Sequence, residues 1–304
     1  MSLVINTNVA SLNAQRSLTA SGAELKTAME RLSSGKKINS ASDDAAGFAI
    51  AERMTAQIRG LNMAAKNAND GLSMLSTIEN ATSDITGMLH RMRELAVQGI
   101  NDTNGTQDRA YLQLEVDALM EEINRVASDT QYNGKSVLNG SLANTVDGSG
   151  NITAYGGQIQ VGTDANQTVG FGVNSVDTVA LSLSAAGTAE DHTTAAKEFV
   201  AGASQIDVSS AANASTSLAK ISAAIEQVAG DRAGYGALQN RLEYTVSNLL
   251  NVAEYTTAAR SRIEDADFAA ESARLAKAQV LQQSGTAMLA QANASSQLAI
   301  TLIR

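Results

Sequence analysis

Residues 54–96 read MTAQIRGLNMAAKNANDGLSMLSTIENATSDITGMLHRMRELA, and the spacing of their apolar side chains decides the fold class. Positions alternately four and three apart are apolar at Met54, Ile58, Leu61, Ala65, Ala68, Leu72 and Leu75. The line resumes at Ile78, Thr82, Ile85, Leu89, Met92 and Ala96. That is the seam of a helix packed lengthwise on others. The two steps of three around Leu75 make a phase slip, which overwinds a coiled coil locally without ending the helix. Asp43 and Asp44, after Asn39-Ser40-Ala41-Ser42, suit its N-cap and first turn. At about 1.5 Å per residue a helix over 44–98 is roughly 80 Å long, too long for a compact domain.

The same spacing recurs on either side. Asn101-Asp102-Thr103-Asn104-Gly105-Thr106 is a turn, and Leu112, Val116, Leu119, Ile123 and Val126 form a second seam. A third starts at Leu218, Ile221, Ile225 and Val228. It is interrupted over Gly230–Gly236 and continues through Leu238, Leu242, Thr245, Leu249, Val252, Thr256, Ala259 and Ile263. Two helices from the N-terminal half and one or two from the C-terminal half therefore share a bundle. Between them, Gln158-Ile159-Gln160-Val161 and Val169-Gly170-Phe171-Gly172-Val173 alternate with period two around Thr163-Asp164-Ala165-Asn166, which predicts a β-hairpin. Residues 184–217, rich in Ala, Ser, Thr and Gly, read as a small exposed insertion. The expected fold is mainly α: an elongated helical coiled-coil rod with a small β-hairpin region in the middle.

Composition agrees. The chain has no proline, which would break helices, and aromatic residues make up only 3%, too few for the bulky centre of an ordinary globular core. With no cysteine there are no disulfides, thiolate nucleophiles or sulfur-bound metals. Net charge is −9, which argues against nucleic acid as a partner. The N-terminus has no basic region before an apolar run, so no cleavable signal is expected. No stretch approaches the ~20 apolar residues of a membrane span, so no membrane insertion is expected. Residues 1–37 carry five basic and two acidic side chains, and residues 141–224 two and seven. The middle thus suits a water-facing surface.

The ends carry thinner stripes. Val9, Leu12, Leu18, Gly22, Leu25, Met29 and Leu32 form one. Leu281, Gly285, Met288, Ala292, Ser295, Ala299 and Leu302 form the other, with Leu298 beside it. A buried leucine contributes roughly 1.5–3 kcal/mol, while each ordered residue loses about 1–2 kcal/mol of backbone entropy. So sparse a stripe predicts ends that become helical only against neighbouring copies.

Several blocks of sequence resemble bacterial flagellins. They are Ile5-Asn6-Thr7-Asn8-Val9-Ala10-Ser11-Leu12-Asn13-Ala14-Gln15, Arg31-Leu32-Ser33-Ser34-Gly35 with Ile38-Asn39-Ser40-Ala41 and Asp43-Asp44-Ala45-Ala46-Gly47, Arg93-Glu94-Leu95-Ala96-Val97-Gln98, Gln131-Tyr132-Asn133-Gly134, Ala259-Arg260-Ser261-Arg262-Ile263-Glu264-Asp265 and the closing Leu302-Ile303-Arg304. The resemblance covers 1–183 and 218–304. It implies a terminal coiled-coil core domain (1–43 with 264–304), a helical bundle with its hairpin (44–183 with 218–263) and a short variable surface insertion (184–217). It further implies a homopolymer forming the extracellular flagellar filament for swimming motility. Subunits would be exported unfolded through a type III apparatus and helped by an export chaperone and by cap and hook-associated proteins.

Self-assembly would then fall to Val9, Leu12, Leu18, Leu25, Leu32, Leu281, Met288, Leu298 and Leu302. Arg91, Leu95 and Glu115, with Arg241 in support, match positions through which such flagellins meet a neighbouring subunit or, as monomers, Toll-like receptor 5. His90 stands where the family usually has Gln. Some flagellins carry a zinc peptidase with an H-E-x-x-H helix, but His90 and His192 lack that context. Neither catalysis nor a cofactor is expected. Two other readings compete: a hook–filament junction protein, and a secreted effector or adhesin sharing the helical ends.

Overall fold

Long helices with few interruptions dominate the computed structural model, which describes residues 8–146, 152–154, 156–184 and 206–301. Five helices occur among them: α1 (Val9–Ser34), α2 (Ala45–Ile100), α3 (Thr106–Asp129), α4 (Ala211–Glu264) and α5 (Phe268–Thr301). The phase slip at Leu75 leaves α2 continuous, as its spacing predicts. Asp44 caps it, accepting from the backbone N–H of Ala46 and Gly47 at 3.1 and 3.0 Å. Asp43 instead closes the preceding turn, with Oδ2 accepting from the N–H groups of Asn39 and Ser40.

The expected interruption at Gly230–Gly236 does not break α4. Glycine costs a helix about 1 kcal/mol relative to alanine, but it keeps the backbone donor that proline lacks. The line of withdrawn positions continues through Asp231 and the buried Tyr235, so polar groups occupy the seam where apolar ones were sought.

Six short strands form three antiparallel pairs. These are β1 (Gln131–Tyr132) with β2 (Lys135–Ser136), β3 (Thr145–Val146) with β4 (Ile152–Ala154), and β5 (Gly157–Gln160) with β6 (Thr168–Phe171). The last is the expected hairpin, with Ile159 opposite Val169. The first turns at Asn133 and Gly134, both at positive φ, the geometry that Asn-Gly favours in a two-residue hairpin.

The chain forms two compact units: Met1–Arg59 with Val252–Arg304, and Gly60–Asn251. The division lies inside α2 and α4, whereas the boundaries suggested by sequence, 43/44 and 263/264, fall near the helix ends. In the central unit, Gly60–Asn251, the seam holds. Leu75, Ile78, Ile85, Leu89 and Met92 meet Val116, Met120 and Ile123 of α3 and Ile221, Val228 and Leu242 of α4 in one core. Thr82, a polar member of the seam, is satisfied by donating to the Ile78 carbonyl at 2.9 Å. The hairpin docks on α2 through Ile159, whose Cδ1 occupies the space of a missing Cβ at Gly71.

The insertion is shorter than 184–217. Residues 185–205 lie outside the described residues, but Ile206 and Val208 are fully buried in this core. Gln113 holds them, its Nε2 donating to the Ile206 carbonyl and its Oε1 accepting from the Val208 N–H. From Ala211 onward the chain is already α4.

Candidate assembly surface

In the terminal unit α1 and α5 run antiparallel. Asn8 Nδ2 donates to the Ala292 carbonyl at 2.9 Å, Ser11 Oγ bonds Asn293, and Arg31 Nη1 meets Glu271 Oε1 at 3.0 Å. The residues withdrawn from solvent on α1 are Ser11, Ala14, Leu18, Ser21, Leu25, Ala28 and Leu32, spaced three and four apart. On α5 they are Glu271, Leu275, Ala278, Gly285, Leu289 and Ala292. In this register Leu18 meets Gly285. A Cβ placed on Gly285 would lie 3.1 Å from Leu18 Cδ1, so that position allows the helices close together.

The loop between α1 and α2 closes the unit. Gly35 ends α1 in the left-handed conformation with φ 71°. Beyond it Lys36 bridges Asp265, Lys37 N–H donates to the Glu264 carbonyl at 2.6 Å, and Ala266 N–H to that of Gly35 at 2.9 Å. Sequence spacing did not identify the pair Arg31–Glu271. Glu271 occupies a seam position, its side chain 6% exposed, and takes both Arg31 and Arg274.

The assembly residues expected from sequence divide into two sets. Leu18, Leu25 and Leu32 lie half-buried in the α1–α5 seam. Leu281 and Met288 do not belong to it. They stand seven residues apart on a line one helical position round, Leu281 40% exposed and Met288 more than half. Val9, Leu12, Met29 and Val280 are likewise more than half exposed. Leu12 borders a shallow depression on α1, with Gln15, Arg16, Thr19, Ala20 and Ala23. Leu298 lies on α5, but its side chain, and all of Leu302, fall outside the described residues. The pair thus buries a thin seam and leaves further apolar side chains facing outward.

The contact residues expected on the central unit are only partly brought together. Arg91 Nε donates to Glu115 Oε1 at 2.8 Å and Nη1 to Glu94 Oε2 at 3.0 Å, at the surface where α2 and α3 lie side by side. Hydrogen bonds from Glu115 first, then Glu94, raise the Arg91 pKa further. A shallow cleft of about 500 Å³ adjoins them, lined by Asp84, Met88, Arg91, Leu119, Glu122 and Arg125 among others. Leu95 is a correction. It is 1% exposed and packed in the core, because the helix face that presents Arg91 turns inward one turn later. Arg241 is exposed on α4 and makes no ion pair with Glu115. Among the described residues no group of three or more His, Cys, Asp or Glu is placed to hold a metal ion, and no helix is long and apolar enough to cross a membrane.

Comparison with known proteins gives the same picture. A family described as the bacterial flagellin N-terminal helical region matches residues 5–143, and the bacterial flagellin C-terminal helical region matches 218–303. The flagellin of Halalkalibacterium halodurans is 39% identical over 99% of this chain and all of its own length. The flagellar filament 33 kDa core protein of Treponema phagedenis is 37% identical over 99% of this chain and all of its own. A solved structure described as a flagellar hook-associated protein of Vibrio parahaemolyticus shares the fold, with a TM-score of 0.54 over 73% of this chain and all of that one, at 15% identity. The full-length matches are to filament proteins, whereas the hook-associated likeness concerns fold alone. This chain belongs to the bacterial flagellin family and is a structural subunit of a filament.

Proposed function

We propose that the outward apolar residues of the α1–α5 pair, Val9, Leu12, Leu281 and Met288 with Leu298 and Leu302 beyond them, are the surfaces through which copies of this chain polymerise into an extracellular flagellar filament. The observation that carries this is the exposure of Val9, Leu12, Leu281 and Met288 on two paired helices, a placement that favours burial against another copy. Contacts that repeat by a rotation that does not close build an open helical polymer. The seam between α1 and α5 is thin, so the ends gain order as the polymer forms. Subunits with such ends can be threaded unfolded through an export channel, aided by a chaperone and met by cap and hook-associated proteins. The role is structural and requires no catalysis. Growth from short filament seeds, followed by electron microscopy, tests it. Leu298→Asp, or deletion of residues 293–304, should abolish growth while far-ultraviolet circular dichroism keeps the signal of the central helices. Growth by the truncated chain would overturn the reading.

The Arg91–Glu115 pair and the adjoining cleft support a second contact on the central unit, between neighbouring subunits and, in the free monomer, with Toll-like receptor 5. Arg241 would assist, and Leu95 would act only by packing beneath. Alanine at both Arg91 and Glu115 should lower receptor-reporter potency roughly tenfold or more, the scale of an interface hot spot. Unchanged potency would remove this surface from the proposal.

A further inference from the structure

A thioether that reaches solvent is open to two-electron oxidation in a way that a core thioether is not. The described methionines span that range, with Met54, Met74 and Met88 partly exposed between the extremes. Met92 and Met120 are wholly buried in the central unit, whereas Met29, Met63 and Met288 are 55%, 55% and 64% exposed. Met63 lies on α2 in the central unit. The other two lie on the terminal pair. Met288 follows Leu281 by one heptad on the outward line of α5, and Met29 is one residue beyond the buried Ala28 on α1. Met288 belongs to the apolar surface proposed above for polymerisation, and Met29 is exposed on the helix paired with it.

We propose that Met29 and Met288 are a redox-sensitive modification site that controls whether a free subunit can join the polymer. The inference rests on the self-assembly reading above and adds a chemical switch to it. The oxidant is of the peroxide class. The sulfur lone pair attacks one peroxide oxygen and the O–O bond breaks. Sulfur, losing two electrons, keeps that oxygen as the sulfoxide, and the other oxygen leaves as water. A flexible apolar side chain becomes a polar acceptor, and burying it without a donor opposes association. A subunit already in the polymer has these sulfurs covered, so the switch acts before incorporation.

The test oxidises full-length monomers with hydrogen peroxide, maps sulfoxides by peptide mass spectrometry, and measures the concentration needed to elongate seeds. Wild-type chain carrying sulfoxide at both positions should need at least a roughly tenfold higher concentration, which one buried unpaired polar group alone would produce. Treatment with methionine sulfoxide reductases should restore growth. In the double variant Met29→Leu/Met288→Leu, which keeps apolar bulk and Met63, the same peroxide treatment should leave the concentration needed for elongation where it stands for that variant untreated. Normal elongation by the mapped sulfoxide, an equal loss in the treated double variant, or peroxide that marks Met63 but spares Met29 and Met288 would each overturn the proposal. Untreated wild-type monomers that fail to elongate seeds would instead sink the self-assembly reading, and the switch with it.

Discussion

Asp231 shows what a polar residue does to a helical seam. Its Oδ1 accepts from Asn174 Nδ2 at 2.8 Å, but its Oδ2 is buried without a partner. Burial pushes the carboxyl above its ordinary pKa, and the Asn174 bond offsets that only in part. One turn on, the Tyr235 hydroxyl is also buried; burial, then the charge of Asp231, push its titration up, and the Asn174 backbone offsets this in part. A carboxyl with a raised folded pKa holds its proton more tightly folded than unfolded. Its ionisation therefore begins to oppose folding as pH passes the unfolded value, and the penalty is complete above the folded one. Asp231→Asn keeps an acceptor for Asn174 and removes the charge. Its melting temperature should exceed wild type at neutral pH and coincide with it near pH ~3, below the unfolded carboxylate pKa. A variant less stable than wild type at neutral pH would show that the charge is compensated by groups other than Asn174.

At the level of elements, the pairing of α1 and α5 is closely tested where Gly285 lies opposite Leu18. Gly285→Ala brings a Cβ to 3.1 Å from the end of a flexible leucine, which Leu18 can yield to, and alanine also gains about 1 kcal/mol of helix propensity. Gly285→Leu has no such room, and overpacking of this kind costs about 1–3 kcal/mol. Seeded growth should therefore survive alanine and fall with leucine; equal growth by both would mean that the pair is not close-packed there. The same construction explains what the sequence concealed. Along α2, large aliphatics mark the buried line, so its seam was legible residue by residue. Along α5 the withdrawn line mixes Glu271, Ala278 and Gly285 with Leu275 and Leu289, while Leu281 and Met288 face out, so hydrophobicity alone did not separate the seam from the outward line. The β1–β2 turn was legible in Asn133-Gly134. Ile206 and Val208 were hidden by an Ala/Ser-rich context, and the Arg31–Glu271 pair joins residues too distant in sequence for spacing to reveal.

Across the whole molecule, burial is unevenly divided. The largest fully buried side chains, from Leu75 through Met120 and Leu183 to Ile221, all lie within Gly60–Asn251. The buried residues of α1 are only Ser21 and Ala28, and among the described residues of α5 they are Glu271 and Ala278. Cavity formation deep in a packed core costs about 2–5 kcal/mol for Ile→Ala, so Ile85→Ala should lower the melting temperature of the free monomer sharply. Leu25→Ala removes a half-buried side chain from the α1–α5 pair; if that pair gains its order on assembly, as proposed, monomer melting should stay within error of wild type while the concentration required for seeded growth rises. Amide hydrogen exchange should divide the chain in the same place, with the middle of α2 slow in the monomer and α1 slow only in the polymer. If instead Leu25→Ala lowers the monomer melt as much as Ile85→Ala does, the terminal pair is part of one cooperative fold. Its order would then precede assembly, and the proposal that the ends gain their order from other copies would fall.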